Sequence, residues 1–314
     1  MTRTHDDNWD ITESVGGTAV QVAMARMAET ISEAPLFTDT HAQHLVAAAT
    51  RSGWRPPYSE ELLAELMSTD PHAIDRMRAM GDYTAVRTRY FDDFLVNACN
   101  DGIDQVVILA AGLDARAWRL PLPNSSTVVY EVDQPKVLSF KSESLQANDA
   151  LPATRYVAIG IDLREDWPSA LRANGFDASR PTAWLAEGLL PYLSATAQDI
   201  LFERLDELSA GGSRIAVEAF AESFYHPDAV AKRNARLTAL RQVADRVGTQ
   251  VMDHNALFFL EDHSNVAEWL TERGWKTSTV EALDLMARYG RPVSERLRDA
   301  VVASEFVEGR RERK

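Results

Sequence analysis

Hydrophobic positions change period once along the chain, near residue 104. Before it they repeat with helical spacing. Val20, Ala23, Met24, Met27 and Ile31 follow i, i+3, i+4, i+7, and Leu62, Leu63, Leu66 and Met67 follow it again after Pro56-Pro57. From Asp82, the positions Tyr83, Val86, Tyr90, Phe94 and Leu95 predict a longer helix with Arg87 and Arg89 among its polar positions. After residue 104, short continuous apolar runs appear. Gln105–Ala110, rich in β-branched residues and bounded by Gly102 and Gly112, is the pattern of a strand buried on both faces. Thr127–Val132, Val157–Ile161, Thr182–Ala186 and Ser213–Val217 predict further strands, ending in Asp133, Asp162, Glu187 and Glu218. Trp275–Val280 and Val301–Val307 supply two late ones.

Between the fourth and fifth runs, Ile200, Leu201, Leu205 and Leu208 mark a helix stopped by Gly211-Gly212, with Thr196 and Asp199 resembling a capping box. Pro135 suits the first turn of another helix. Strands alternating with helices predict an α/β protein with a doubly wound, mainly parallel sheet of seven strands. No repeat or linker divides it, so residues 1–314 are expected to form one domain. Residues 1–100 form a helical N-terminal extension, 101–220 the core, 221–260 a helical cover and 261–314 the rest of the core.

Composition narrows the function. The chain has 314 residues, 45% of them hydrophobic and 25% charged, with a formal net charge of −14. That acidity argues against nucleic acid, which needs a clustered positive surface. The N-terminus lacks the pattern of a signal peptide, and Val106–Ala111 is too short to span a bilayer, so a cytoplasmic protein with no membrane partner is expected. The single cysteine, Cys99, lies among Phe94, Leu95, Val96 and Ala98 and reads as a buried thiol.

In a doubly wound sheet, ligands bind at the carboxyl ends of the strands near the topological switch point. The first strand ends in Ala111-Gly112-Leu113-Asp114, where a glycine lets backbone amides approach a ligand. Asp133, at the next strand end, suits two ribose hydroxyls. A nicotinamide dinucleotide would also use such an acid. Its pyrophosphate, however, needs the Gly-x-Gly-x-x-Gly spacing, and here a single glycine stands beside Asp114, an acid that repels phosphate. A sulfonium ligand carrying an ammonium group tolerates it.

The string Gln105-Val-Val-Ile-Leu-Ala-Ala-Gly-Leu-Asp-Ala-Arg-Ala-Trp-Arg-Leu120 resembles a hallmark of the leucine carboxyl methyltransferase-like group, in its bacterial branch. Glu131-Val-Asp-Gln-Pro135 with Lys141, Ile161-Asp-Leu-Arg164, Ala186-Glu-Gly-Leu-Leu-Pro-Tyr-Leu193 and the helix Tyr83–Asp93 resemble its other motifs. The resemblance implies a Rossmann-like, class I methyltransferase fold with S-adenosyl-L-methionine as cofactor. It implies that Gly112 packs beneath the methionine part, Asp133 takes the ribose hydroxyls, and Asp162 with the Leu163 backbone holds the adenine. Arg87, or Arg89 in its place, pairs with the cofactor carboxylate, and Glu187 faces the methionine end. Leucine carboxyl methyltransferases act on a protein C-terminus, a substrate not carried over to the bacterial branch.

Capping and ion pairing are the plainer uses of these residues. Asp133 and Asp162 can cap the elements that follow them, Arg87 and Arg89 can pair with Asp92 or Asp93, and Arg116 and Arg119 are expected to pair with acids rather than substrate. His41 and His44 lack a further ligand set, so no metal is expected. No catalytic residue is assigned; His226, His254 and His263 are the candidates for a general base. A phenolic acceptor benefits from a base and a carboxylate needs none, which leans towards carboxylate O-methylation. The acceptor is expected to be a small or carboxylate-bearing molecule. A nicotinamide-dependent oxidoreductase and a non-catalytic cofactor-binding module stand as alternatives.

Overall fold

A computed structural model of the chain describes residues 14–122, 127–249, 251 and 253–312. The N-terminal part is helical: α1 (Ser14–Thr30), α2 (Ala42–Arg51), α3 (Glu60–Thr69) and α4 (Ala73–Asn100). Next come β1 (Gln105–Leu109), a turn of helix α5 (Arg116–Arg119), β2 (Val128–Asp133), α6 (Pro135–Gln146), β3 (Arg155–Gly160) and α7 (Trp167–Ala173). After these follow β4 (Thr182–Ala186), a 3-10 turn at Leu190–Tyr192, α8 (Ala195–Glu207) and β5 (Arg214–Phe220). The chain continues through α9 (Glu222–Tyr225), α10 (Pro227–Arg246), α11 (Val266–Glu272), β6 (Trp275–Glu281), α12 (Ala282–Arg288) and β7 (Ser304–Arg311).

The seven strands form one sheet in the order β3-β2-β1-β4-β5-β7-β6. Strands β1 to β5 are parallel, and β7 runs antiparallel between β5 and β6. The sheet is therefore the mainly parallel, doubly wound one expected. Its switch point lies between β1 and β4, where successive crossovers leave in opposite directions and open a crevice at the strand ends.

Alternation along β1 divides the core. Val106 and Ile108 pack with Phe91, Phe94 and Leu95 of α4 on one face. Val107 and Leu109 pack with Trp184 and with Leu201, Phe202 and Leu205 of α8 on the other. Both faces are covered, so β1 and β4 read as nearly continuous apolar runs, and β2 is interrupted only by Glu131, buried against Lys141, before its terminal Asp133. Strand β3, at the edge, is largely exposed, which explains its weaker pattern.

Three boundaries differ from expectation. Helix α4 begins at Ala73 rather than near Asp82, and it packs into one side of the core together with α1, α2, α6 and α12. Helix α8 is capped by Ser194, whose hydroxyl accepts from the Ala197 N–H at 3.2 Å, so Thr196 and Asp199 lie inside the helix. The last strand begins at Ser304, three residues beyond Val301. Cys99 is buried, and burial pushes its thiol up to about 11. Among the described residues no helix is long and apolar enough to cross a membrane.

Candidate active site

The crevice is framed by the loops leaving β1, β2, β3 and β4. After β1 the chain turns sharply, with Ala110 at φ 49° and Gly112 at φ 51°, the left-handed region that glycine enters without steric cost. A side chain at Gly112 would begin 3.3 Å from the Cβ of Ala19, so α1 lies directly over this turn. Asp133, at the end of β2, holds the turn in place. One carboxylate oxygen accepts the Gly112 N–H and the other the Gln134 N–H, each at 2.6 Å. Burial raises its pKa above the usual carboxylate value, against the pull of those two N–H donors.

Asp162, just past β3, accepts from Gln134 Nε2 at 2.7 Å and from the Arg164 backbone and guanidinium at 2.6–2.9 Å. Gln134 thereby links the acids that follow β2 and β3. Leu163 packs against the core, and its carbonyl accepts from Arg204 at 3.3 Å.

Behind the β1 and β4 ends lies a buried network of ion pairs. Arg116 donates to Asp92 at 2.7 Å, to Asp114 and to Glu187 at 2.7 Å, and to the Thr88 carbonyl at 3.3 Å. Arg119 grips Asp92 bidentately at 2.6 Å, and Arg26 joins Asp39 at 2.9 Å to the Leu113 carbonyl at 2.5 Å. Both Arg116 and Arg119 pair with acids, as expected. Asp114 is turned inward onto Arg116 rather than out over the β1 loop, so it does not itself repel a phosphate there; the lone glycine still lacks the spacing of a pyrophosphate cradle.

Arg87 extends the network to the crevice. Its Nε lies 2.9 Å from Glu187, an ion pair in which the N–H is not aimed at the oxygen, and its Nη1 donates to Glu218 at 3.2 Å. Both terminal nitrogens lie beside Gly188, Nη1 3.6 Å and Nη2 4.0 Å from where a side chain there would begin. Arg89 faces elsewhere, pairing with Asp93 at 2.9 Å and with the Leu36 carbonyl at 2.9 Å. Arg87, not Arg89, therefore reaches the crevice. Burial alone would raise the Glu187 pKa, but Arg116 and Arg87 beside it hold it below its ordinary value.

The strongest omission from the sequence-derived site is Glu218. Its carboxylate accepts from the Tyr83 hydroxyl, from Arg87, and from the Gly188 N–H at 2.8 Å, so it fixes both Arg87 and the β4 loop. The signal was its place at a strand end. Of the histidines, His263 has its ring nitrogens 2.7 and 3.0 Å from the Glu261 and Leu193 carbonyls, leaving neither turned to a substrate. His226 is exposed beside Asp228, and the side chain of His254 lies outside the described residues.

Comparison with known proteins gives a consistent picture. A family model described as leucine carboxyl methyltransferase matches residues 19–206. A Mycobacteroides abscessus protein is 48% identical over 309 residues, covering 98% of each chain. Relatives from Mycolicibacterium paratuberculosis and Mycobacterium tuberculosis are 47% and 46% identical over 312 residues, covering 99% of each chain. All three carry the name S-adenosyl-L-methionine-dependent methyltransferase, which specifies a cofactor and no acceptor.

Proposed function

The chain belongs to the leucine carboxyl methyltransferase family, and from that premise we propose that it methylates an oxygen of a carboxylate or hydroxyl acceptor. The enzyme class and the cofactor, S-adenosylmethionine, rest on the family and on relatives at 46–48% identity along the whole chain. A nicotinamide oxidoreductase is set aside on the same ground.

One observation carries the fit of the site to that cofactor. In the network, four guanidinium groups (Arg26, Arg87, Arg116, Arg119) face five carboxylates (Asp39, Asp92, Asp114, Glu187, Glu218). Glu187 and Glu218 form the end of that network nearest the crevice, beside Arg87, and carboxylates there favour a cationic ligand. A sulfonium and an ammonium group supply that cation, whereas a pyrophosphate adds to the repulsion.

Gly112 would pack beneath the methionine part, Asp133 would hold the ribose, Asp162 and the Leu163 backbone the adenine, and Glu187 the ammonium group. Arg87 keeps Nη2 for the carboxylate, its other edges being fixed by Glu187 and Glu218. When bound, the cofactor supplies a methyl group already activated on sulfur, so that an acceptor oxygen displaces S-adenosylhomocysteine in line. The protein's own contribution is orientation and exclusion of water, with α1 lying over the Gly112 turn. A carboxylate is nucleophilic at neutral pH, which favours it over a hydroxyl where neither His226 nor His263 is placed as a base. The test is S-adenosylhomocysteine release with matched carboxylate, alcohol, amine and thiol acceptors. Turnover of carboxylates supports the reading, and turnover confined to amine or thiol acceptors would refute it.

A further inference from the structure

Beyond Glu218 the mouth of the crevice is lined with aromatic rings. Phe220 ends β5 two residues further on, hence on the same strand face and about 6.8 Å further out. Its ring centroid lies 3.9 Å from that of Phe224 and 5.7 Å from that of Phe258. Phe258 meets Tyr192, which ends the turn after Gly188, at 5.4 Å, and Tyr225 lies 5.4 Å from Phe224. Only Phe224 is fully buried; Phe220, Tyr192, Tyr225 and Phe258 are half-buried, and Tyr225 stacks on His263 at 5.4 Å.

A cation sits on this group. The guanidinium carbon of Arg233, on α10, lies 3.7 Å from the centroid of the Phe224 ring, and one nitrogen donates to the Phe224 carbonyl at 2.8 Å. Its Nε is buried with no hydrogen-bond partner. Burial lowers its pKa, and no carboxylate opposes that shift. The network arginines Arg26, Arg87, Arg116 and Arg119 all meet acids, whereas Arg233 meets none among the described residues. A half-buried guanidinium that faces no carboxylate calls for an anion from outside the chain. Half-buried rings beside it call for a flat apolar body, since aromatic rings pack edge-to-face or offset.

We infer that the acceptor is an aromatic acid, its ring packed against Phe220, Tyr225 and Phe258 and its anionic group paired with Arg233. This rests on the methyltransferase reading and adds the substrate class to it. The test separates the two. Isothermal titration with S-adenosylhomocysteine comes first; a folded protein that fails to bind it contradicts the methyltransferase reading and with it the inference. With that ligand bound, 2-naphthoate, its neutral carboxamide and cyclohexanecarboxylate are titrated in turn. The naphthoate is expected to bind about ten-fold tighter than either, the effect of one charge-assisted hydrogen bond or one ring contact. Arg233→Gln should remove the preference over the carboxamide and Arg233→Lys restore part of it. Phe258→Ala should remove the preference over the cyclohexane acid, and all three variants should keep their affinity for S-adenosylhomocysteine. Equal affinity for the probes, no binding of any of them, or a naphthoate affinity unchanged in Arg233→Gln would overturn the inference.

Discussion

The carboxylate of Asp133, at the end of β2, accepts the backbone N–H of Gly112, in the loop after β1, at 2.6 Å. Two adjacent strand ends are thereby locked together where the cofactor ribose is expected. The loop depends on its glycine, which sits at φ 51° with Ala19 over it. Gly112→Ala should cost roughly 1–2 kcal/mol of stability for the left-handed backbone alone. Urea unfolding checks this, and cofactor affinity should fall with it. An alanine variant of wild-type stability would mean that the turn relaxes freely.

Burial separates the paired arginines energetically. Arg116 is almost fully buried among Asp92, Asp114 and Glu187, so Arg116→Ala leaves uncompensated carboxylates and should destabilise by about 3–5 kcal/mol. Arg89, half-exposed beside Asp93, should cost under about 1 kcal/mol when truncated. Equal losses by denaturant unfolding would contradict the network as described.

How much of this was legible follows from where each residue lies. Strand β4 was read to the residue, because both its faces are buried and nothing interrupts the apolar run. The exposed edge strand β3 was read late, and the antiparallel direction of β7 was not readable at all, since pairing direction leaves no trace in hydrophobic period. Asp133, Asp162 and Glu187 were visible as strand-end acids. The network was visible only in part. Arg116 was expected to meet acids, but Asp92 and Glu187 come from 24 and 71 residues away, a convergence only the fold supplies. Glu218 stood in view as a fourth strand-end acid, yet its hold on Arg87 and Gly188 depends on the β4–β5 pairing.

The cap of α8 gives a local test. Ser194→Ala should cost about 1 kcal/mol, the usual worth of an N-cap hydroxyl, while Thr196→Ala should change stability by less than about 0.5 kcal/mol. Thermal unfolding of the two variants side by side decides it. A larger loss at Thr196 would restore the capping box that the sequence suggested.

The buried pair of Glu131 and Lys141 gives a pH dependence. Burial raises Glu131 to about 7 from 4.5, although Lys141 and Tyr156 bond to its carboxylate. The folded state thus holds this proton over a range in which the unfolded state has lost it. Its contribution to stability must fall as pH rises from about 4.5 to about 7, and level off above. Stability measured at pH 5 and pH 8 should drop more in the wild type than in a Glu131→Leu/Lys141→Met double variant. An equal or smaller drop in the wild type would contradict the raised value.

Asp133 is expected to anchor S-adenosylmethionine at the end of β2. Isothermal titration of wild type and Asp133→Ala with S-adenosylmethionine, each shown folded by circular dichroism, tests it most directly. The wild type should bind, and the variant should bind more weakly by roughly 1–3 kcal/mol, about five- to 150-fold. Unchanged affinity in a folded Asp133→Ala protein, or a folded wild type that binds NAD and not S-adenosylmethionine, would contradict it.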